Sequence, residues 1–560
     1  MAEFEKSTVY QIYPKSFCDS NGDGFGDLRG VIEKLDYIRE LGVDYIWLTP
    51  VYVSPQKDNG YDVEDYCSID PRYGTMEDFE LLVKEAGRRG IKVMLDMVFN
   101  HTSSRHVWFQ RALAGDETYK KYYFFRKGEK PPTNWQSKFG GDAWEYVPQL
   151  GEYYLHLFDV TQPDLNWDNE EVRAEIQNVV RFWMKKGVKG FRFDVVNLIS
   201  KAGFEDDAEG GDGRRFYTDG PNIHKYLREL NEQTFGQDVD IVTVGEMSST
   251  SMENCFQYAG KNSHELSMVF QFHHLKVDFV GNDKWVLVPP DFEKLKQILF
   301  SWQVGMAEHD AWNALFWCNH DQPRVVSRFG DENLYWKQSA KMLATVMHGM
   351  RGTPYIYQGE ELGMTNAGFT DISQYRDVES LNHFRILQEK GISEQDAYQI
   401  LQAHSRDNSR TPMQWNAGKH GGFTEGTPWI EGNPNCVRIN AAEQMQDADS
   451  VFHYYQKLVL LRKEYDVIAY GDFEPVDEKN PSVIAYRRTY KHESENKEKK
   501  EQLLVAANFY GQTIEWDSKM DLSGYACLAG NYPDVEYADL CGQVLKLRPY
   551  EAVMLYKKEE

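Results

Sequence analysis

The chain has 560 residues, 41% of them hydrophobic and 14% aromatic, with a formal net charge of −25. That apolar content excludes a disordered chain, which needs low hydrophobicity with high charge, and the acidic balance excludes nucleic acid or an anionic membrane as a general partner. At a soft prior of ~150 residues per domain the length suggests three or four domains, or two or three if one is a barrel of ~250 residues.

Strand-like runs recur along the chain, separated by helical patterns. VYQIY begins at Val9, YIWL at Tyr45, VMLDMV at Val93 and GFRFDVV at Gly190. IVTVG begins at Ile241, LSMVFQF near Leu266, NALFWC at Asn313 and PYIYQG at Pro354. Eight such units in alternation predict parallel α/β architecture, either a closed barrel or an open doubly wound sheet. The third and fourth runs start at Val93 and Gly190, much further apart than the ~30 residues of one barrel unit. The intervening stretch is turn-rich and aromatic, and predicts a subdomain over 101–171 inserted after strand three, with the barrel built from 1–100 and 172–475. Beyond residue 475 short alternating runs (SVIAYRRTY, QLLVAANFY, YACLAG, QVLKLRPYEAVMLYK) predict a C-terminal antiparallel β domain over 476–560. The charged stretch 491–501 between two of these runs reads as a solvated hairpin loop.

Seven cysteines, Cys18, Cys67, Cys255, Cys318, Cys436, Cys527 and Cys541, form no CxxC pair. An odd, scattered set argues against a disulfide framework and a zinc ribbon. The N-terminal stretch carries no secretory pattern and no run of about 18 apolar residues occurs, so the expected compartment is the cytoplasm, without a membrane partner.

In a parallel barrel the chemistry sits where strands end. The third run continues from Asp96 to Asn100-His101, the fourth carries Arg192 and Asp194, the fifth closes on Glu246, and the seventh leads to Asn319-His320-Asp321. Asp194, Glu246 and Asp321 thus converge on one rim, where an apolar strand gains nothing from a carboxylate that is neither paired nor functional. Two carboxylates flanking a scissile bond are the recurrent device of glycoside hydrolysis. Arg192 stands two residues before Asp194, so on a strand both side chains share a face and the guanidinium holds the carboxylate ionised.

Asp19, Asn21, Asp23 and Asp27 alternate with small residues, an oxygen-rich loop suited to a hard cation; position 12 from Asp19 is Gly30, which excludes an EF-hand. The basic residues Arg214, Arg215, Lys261, Lys276 and Lys284 stand out against the acidic whole and suit an anionic group such as phosphate.

DMVFNH (96–101), GFRFDVVN (190–197), VGEM (244–247) and NHDQPR (319–324), with QPDLNW (162–167), GYD (60–62) and NSRTPMQW (408–415), resemble the motifs of the α-amylase clan of glycoside hydrolases, in its oligo-1,6-glucosidase branch. The resemblance covers essentially the whole chain. It implies a (β/α)8 TIM barrel with an inserted subdomain and a C-terminal antiparallel β-sandwich. By the same resemblance Asp194 is the nucleophile, Glu246 the general acid/base and Asp321 the third carboxylate. Asp58, Tyr61, His101, Arg192, His320 and Arg410 match positions that hold the glucosyl unit, and Val195 is the type found in enzymes not restricted to α-1,4 bonds. The loop Asp19, Asn21, Asp23, Phe25 (through its carbonyl) and Asp27 matches a structural Ca²⁺ site; no organic cofactor is implied.

Within the clan, GDGRRFYTDGP (211–221), VGEMSSTSMENC (244–255) and ELSMVFQFHHLKVD (265–278) resemble the phospho-α-(1,1)-glucosidases, which hydrolyse trehalose 6-phosphate. This implies a disaccharide phosphate as the small-molecule partner, with Arg214, Arg215, Lys276 and Lys284 as candidates for its phosphate, and a monomeric enzyme. The alternatives are an oligo-1,6-glucosidase acting on neutral isomalto-oligosaccharides, a glucosyl-transferring isomerase, or, in another class, a non-catalytic amylase-like chaperone of membrane transporters.

Overall fold

The computed structural model describes residues 4–208, 211–492, 499–534, 540 and 542–559. Cys541 and residues 493–498 of the charged stretch lie outside the described residues. Eight parallel strands carry the architecture: β1 (Val9–Ile12), β2 (Tyr45–Leu48), β3 (Lys92–Met97), β4 (Gly190–Phe193), β5 (Val242–Glu246), β6 (Met268–Phe270), β7 (Ala314–Leu315) and β8 (Thr353–Tyr357). They pair in the order β6-β5-β4-β3-β2-β1-β8-β7. A parallel bridge from Val269 to Asn313 joins the two ends and closes the ring. The alternative of an open sheet therefore falls.

Alternate strand residues fill the lumen, as the period of two requires. Val9, Tyr45, Trp47, Met94, Val244, Met268, Phe270 and Tyr355 form one buried cluster there. The other strand faces are equally buried beneath helices, which is why the strands read as apolar runs rather than as alternation. Several of the long helices start at side-chain caps. Thr75 and Asp78 form a capping box for Met76–Arg88, Asn169 caps Glu170–Lys185, and Asp291 caps Phe292–Glu308. Each satisfies an N–H that the first helical turn leaves open.

Between β3 and β4 lies a three-stranded antiparallel sheet of Phe125–Lys127, Trp144–Val147 and Glu152–Leu155. Its buried side, with Trp135, Trp144 and Leu157, packs against Val195, Leu198 and Tyr217 from the segment following β4. The C-terminal strands β9 (Asp472–Val476), β10 (Val483–His492), β11 (Lys499–Asn508), β12 (Ala526–Gly530) and β13 (Ala552–Glu559) form an antiparallel sheet in the order β9-β10-β11-β13-β12. A two-stranded sheet of Ile514–Asp517 and Val544–Leu547 faces it across a core that includes Trp516 and Leu545. Two residues of β10 tie this region to the barrel: Tyr486 donates to the Val346 carbonyl at 2.6 Å, and Arg488 Nη1 to that of Gly349 at 2.7 Å.

Candidate active site

A cavity of about 310 Å³ opens at the C-terminal ends of the strands. Asp58, Tyr61, His101, Asp194, Glu246 and Asp321 all line it. Asp194 immediately follows β4 and Glu246 ends β5, as expected for a barrel rim. Asp321 sits further out than a strand-seven terminus, because β7 stops at Leu315 and the chain reaches Asp321 through an irregular segment.

Arg192 is the hub on the Asp194 side. It is fully buried, and its Nη1 donates to Asp194 Oδ1 at 2.6 Å and to Asp96 Oδ1 at 2.7 Å. Its Nη2 donates to Glu246 Oε2. Asp96 also accepts from Tyr61 O–H at 2.9 Å and from Trp47 Nε1 at 3.2 Å. The Tyr61 ring stacks on His320 with centroids 5.1 Å apart and planes 2° apart. Gln11 Nε2 donates to His320 Nδ1 at 2.9 Å, which leaves the proton of this neutral imidazole on Nε2. Nε2 lies 3.3 Å from Asp321 Oδ2 but makes no hydrogen bond there, so its N–H is open to a ligand.

A second cationic hub holds the opposite wall. Arg410 Nη2 donates to Asp321 Oδ1 at 2.6 Å. Arg406 reaches Asp321 Oδ1 and Asp58 Oδ1, each at 3.3 Å, and Asp377 Oδ1 at 2.5 Å. Asp58 Oδ2 accepts from Gln162 Nε2 at 3.1 Å, and the same amide nitrogen lies 3.2 Å from His101 Nε2. The QPDLNW segment thus buttresses this wall of the cavity from the inserted region.

Burial and charge push the carboxyl groups apart. Burial raises Glu246 to about 8; Arg192 opposes this, while Asp194 and Asp321 add to it. Burial also raises Asp194, with Arg192 as the main opposing influence. Burial alone would raise Asp321, but the Arg406 and Arg410 guanidiniums outweigh it and hold the carboxyl well below the usual range. Burial lowers His320 to about 3, keeping it neutral. Of these three carboxyls, Glu246 therefore holds a proton at neutral pH while Asp194 and Asp321 are ionised, the division of labour that acid-assisted glycosyl transfer requires; burial also raises Asp58, to about 7.

The basic candidates separate. Lys276 and Lys284 line the cavity. Lys284 is bound to Glu379 Oε2 at 2.7 Å and lies over the Trp285 ring. Among the described residues Lys276 has no ion-pair partner, and burial lowers its pKa, with Arg214 adding to the shift. Arg214 contacts Asp212 at 3.3 Å. Arg215 pairs with Asp207 at 3.0 Å and lies over Phe216, away from the cavity lining. Lys261 sits at the other end of the barrel with Thr243, Asp310 and Arg351.

Several site residues escape sequence reasoning. Lys138, from the inserted region, lines the cavity beside Phe139 and Phe158. Burial, together with like-charge repulsion from Arg214 and Lys276, lowers it to about 7. Nothing in KFGGDAW announces such a role, because the contact is long-range. Arg406 was within reach: it stands four residues before Arg410, the spacing of neighbours on one helix face.

The loop Asp19–Asp27 lies apart from this cavity. Asp19 accepts from the N–H groups of Asn21, Gly22 and Gly24 and from Thr424. Asp27 accepts from Ser20 and caps the helix that follows, through Gly30 N–H. Asn21 and Asp23 each accept one backbone N–H and are exposed. The donor set is oxygen-only and suits a hard cation. Among the described residues, no three Asp, Glu, His or Cys side chains converge as a metal set.

A ring of eight parallel strands with three carboxyl groups and two arginines at its C-terminal rim defines a glycoside hydrolase of the TIM-barrel class. Residues 11–471 match the model for the alpha-amylase catalytic domain, and the chain belongs to that family. A trehalose-6-phosphate hydrolase of Bacillus subtilis is 53% identical over 98% of this chain and 97% of its own length. An oligo-1,6-glucosidase of Bacillus cereus is 48% identical, with 99% of each chain covered. The crystal structure of trehalose-6-phosphate hydrolase from Bacillus licheniformis, 52% identical, superposes with a TM-score of 0.93 over 100% of both chains.

Proposed function

We propose that the protein hydrolyses trehalose 6-phosphate to glucose and glucose 6-phosphate with retention of configuration. The observation that carries the phosphate specificity is the pair Lys138 and Lys276 lining the cavity, with Arg214 behind the lining and near enough to repel both. These three cations repel one another, and among the described residues only Arg214 has a carboxylate within ion-pair distance. A dianionic phosphate relieves that repulsion and supplies acceptors for charge-assisted hydrogen bonds. The 52–53% identity to trehalose-6-phosphate hydrolases over the full length supports the same reading.

In this reading Asp194 attacks the anomeric carbon of the unphosphorylated ring as the bond to the bridging oxygen breaks. Glu246 gives its proton to that oxygen, and glucose 6-phosphate leaves. Water then attacks the glucosyl–Asp194 ester, loses a proton to Glu246 and releases α-glucose, restoring both carboxyl groups. Asp321, Asp58, His101, His320 and Arg410 grip the hydroxyls of the glucosyl ring, and Tyr61 packs against it. Arg192 keeps Asp194 ionised. A structural Ca²⁺ belongs to the loop Asp19, Asn21, Asp23, Phe25 and Asp27, away from the chemistry. The enzyme acts as a monomer in the cytoplasm, a compartment that suits the six free cysteines among the described residues.

The test is a parallel assay on trehalose 6-phosphate, trehalose and isomaltose. A kcat/KM highest for trehalose 6-phosphate is expected. Equal or better turnover of isomaltose would give the protein to the oligo-1,6-glucosidases instead.

A further inference from the structure

The three segments that carry the finer resemblance come from separate parts of the sequence, and one carboxylate in the first bonds directly to the second and, through Thr250, reaches the third. Asp219 lies in the first, at a left-handed φ of 50° that few non-glycine residues adopt. Its Oδ1 accepts from Tyr258 O–H at 2.6 Å and from Asn197 Nδ2 at 3.2 Å. Its Oδ2 accepts from Thr250 O–H at 2.6 Å and from Asn254 Nδ2 at 2.8 Å. Four donors from the segments after β4 and β5 thus converge on one side chain, and none of them is charged. A fifth link comes from the third segment, where His273 Nε2 lies 2.8 Å from the Thr250 carbonyl.

From this hub the contacts run into the cavity. Asn197 Nδ2 donates to the Ser248 carbonyl, and Ser248 N–H donates back to Asn197 Oδ1, both at 2.9 Å. Ser248 Oγ accepts from Lys138 Nζ at 3.2 Å. His273 stands three residues before Lys276. Asp219 does not line the cavity itself. Glu246 is held independently, by β5, Arg192 and the Val195 N–H.

We propose that Asp219 is a positioning residue for specificity: its carboxylate docks the three segments together and so fixes Lys138 and Lys276 for the second, charged half of the substrate. This rests on the phosphorylated-disaccharide reading above. A carboxylate offers only acceptors, which is why it satisfies four donors at once; an amide in its place turns an N–H toward groups that donate. The cost falls on the wall that meets the phosphate and spares the pocket that holds the glucosyl ring.

The test compares wild type with Asp219→Asn and Tyr258→Phe on trehalose 6-phosphate and on p-nitrophenyl α-glucoside, which carries no phosphate. Losing a hydrogen bond to a charged group predicts a fall of roughly 10–100-fold in kcat/KM for trehalose 6-phosphate in Asp219→Asn, mostly through KM. Tyr258→Phe, which removes one donor, should show a smaller fall in the same direction. The aryl glucoside should lose less than about threefold, the size of a weak contact. Equal losses on both substrates with a lowered Tm would make Asp219 a stability residue and overturn the proposal, as would a preference for trehalose 6-phosphate that survives in Asp219→Asn. A wild type without that preference would instead overturn the substrate reading. The hub is then judged by amide exchange, where equal protection of residues 247–258 in wild type and Asp219→Asn overturns it.

Discussion

The backbone N–H of Val195 donates to Oε2 of Glu246 at 3.2 Å, from a residue held at a φ of 36°. A β-branched residue in the left-handed region is strained, and such strain persists where the surroundings enforce it. Here it directs the residue after Asp194 toward Glu246. Arg192 Nη2 contacts the same Oε2, so both donors leave Oε1 as the oxygen that carries the proton. One short strand end therefore orients both carboxyl groups of the proposed reaction.

Asp194→Asn is expected to fold and to lose turnover by roughly 10⁴-fold or more, because no other group replaces a nucleophile held in place. Glu246→Gln should be impaired by ~10²–10⁴-fold on the disaccharide phosphate and much less on an activated aryl glucoside, whose leaving group needs no proton. NMR during the first turnovers should show α-glucose before mutarotation. A tenth of wild-type turnover in Asp194→Asn, or β-glucose first, would remove the retaining mechanism.

The pH dependence follows from the same pair. Glu246 must be protonated and Asp194 ionised in the free enzyme. Activity should therefore fall above about pH 8, where Glu246 loses its proton. It should also fall on the acid side, at a pH above that of an ordinary aspartate, because burial raises Asp194. Profiles of kcat/KM on the two substrate types would check this. The basic limb should weaken with the aryl glucoside; an identical limb on both would assign it to another group.

Lys138→Ala and Lys276→Ala should each cost ~10–100-fold in kcat/KM for trehalose 6-phosphate, from the ~1.5–3 kcal/mol of a charge-assisted hydrogen bond. Both should flatten its salt dependence, since less attraction remains to be screened. Arg215→Ala, off the cavity lining and paired with Asp207, should change little. Because Lys138 is lowered to about 7, the advantage of the phosphorylated substrate should also shrink as pH rises past 7. A loss in Arg215→Ala alone would move the phosphate to the opposite side of the Arg214 segment.

Chelator should lower the Tm more than it lowers the initial rate at 25 °C, since a cation in the Asp19–Asp27 loop stabilises by mass action and lies away from the cavity. Calorimetry with and without EDTA, followed by Ca²⁺ addition, measures this. Coincident melting curves would leave the loop as a self-satisfied turn, built on the N–H bonds to Asp19 and Asp27.

Local pattern carried much of this protein by itself. The strands announced themselves as buried apolar runs at barrel spacing, and Asp194 and Glu246 were legible because a strand end places them without further information. Arg192 and Asp194 share a strand face by the period of two, and their 2.6 Å contact follows from that spacing. Tertiary structure decided what depends on contacts between distant segments. Closure of the ring rests on Val269 meeting Asn313. Lys138 reaches the cavity only because the inserted region folds over the barrel mouth. Asp219 carries no mark of a hub in the sequence; Asn197, Thr250, Asn254 and Tyr258 close on it only in the fold. Arg215 and Lys284 looked equivalent to Lys276, yet Asp207 and Glu379 neutralise them. The physical reason is one of range: periodicity and capping act over a few residues, whereas charge pairing and desolvation act through space, between side chains that the sequence does not show to be neighbours.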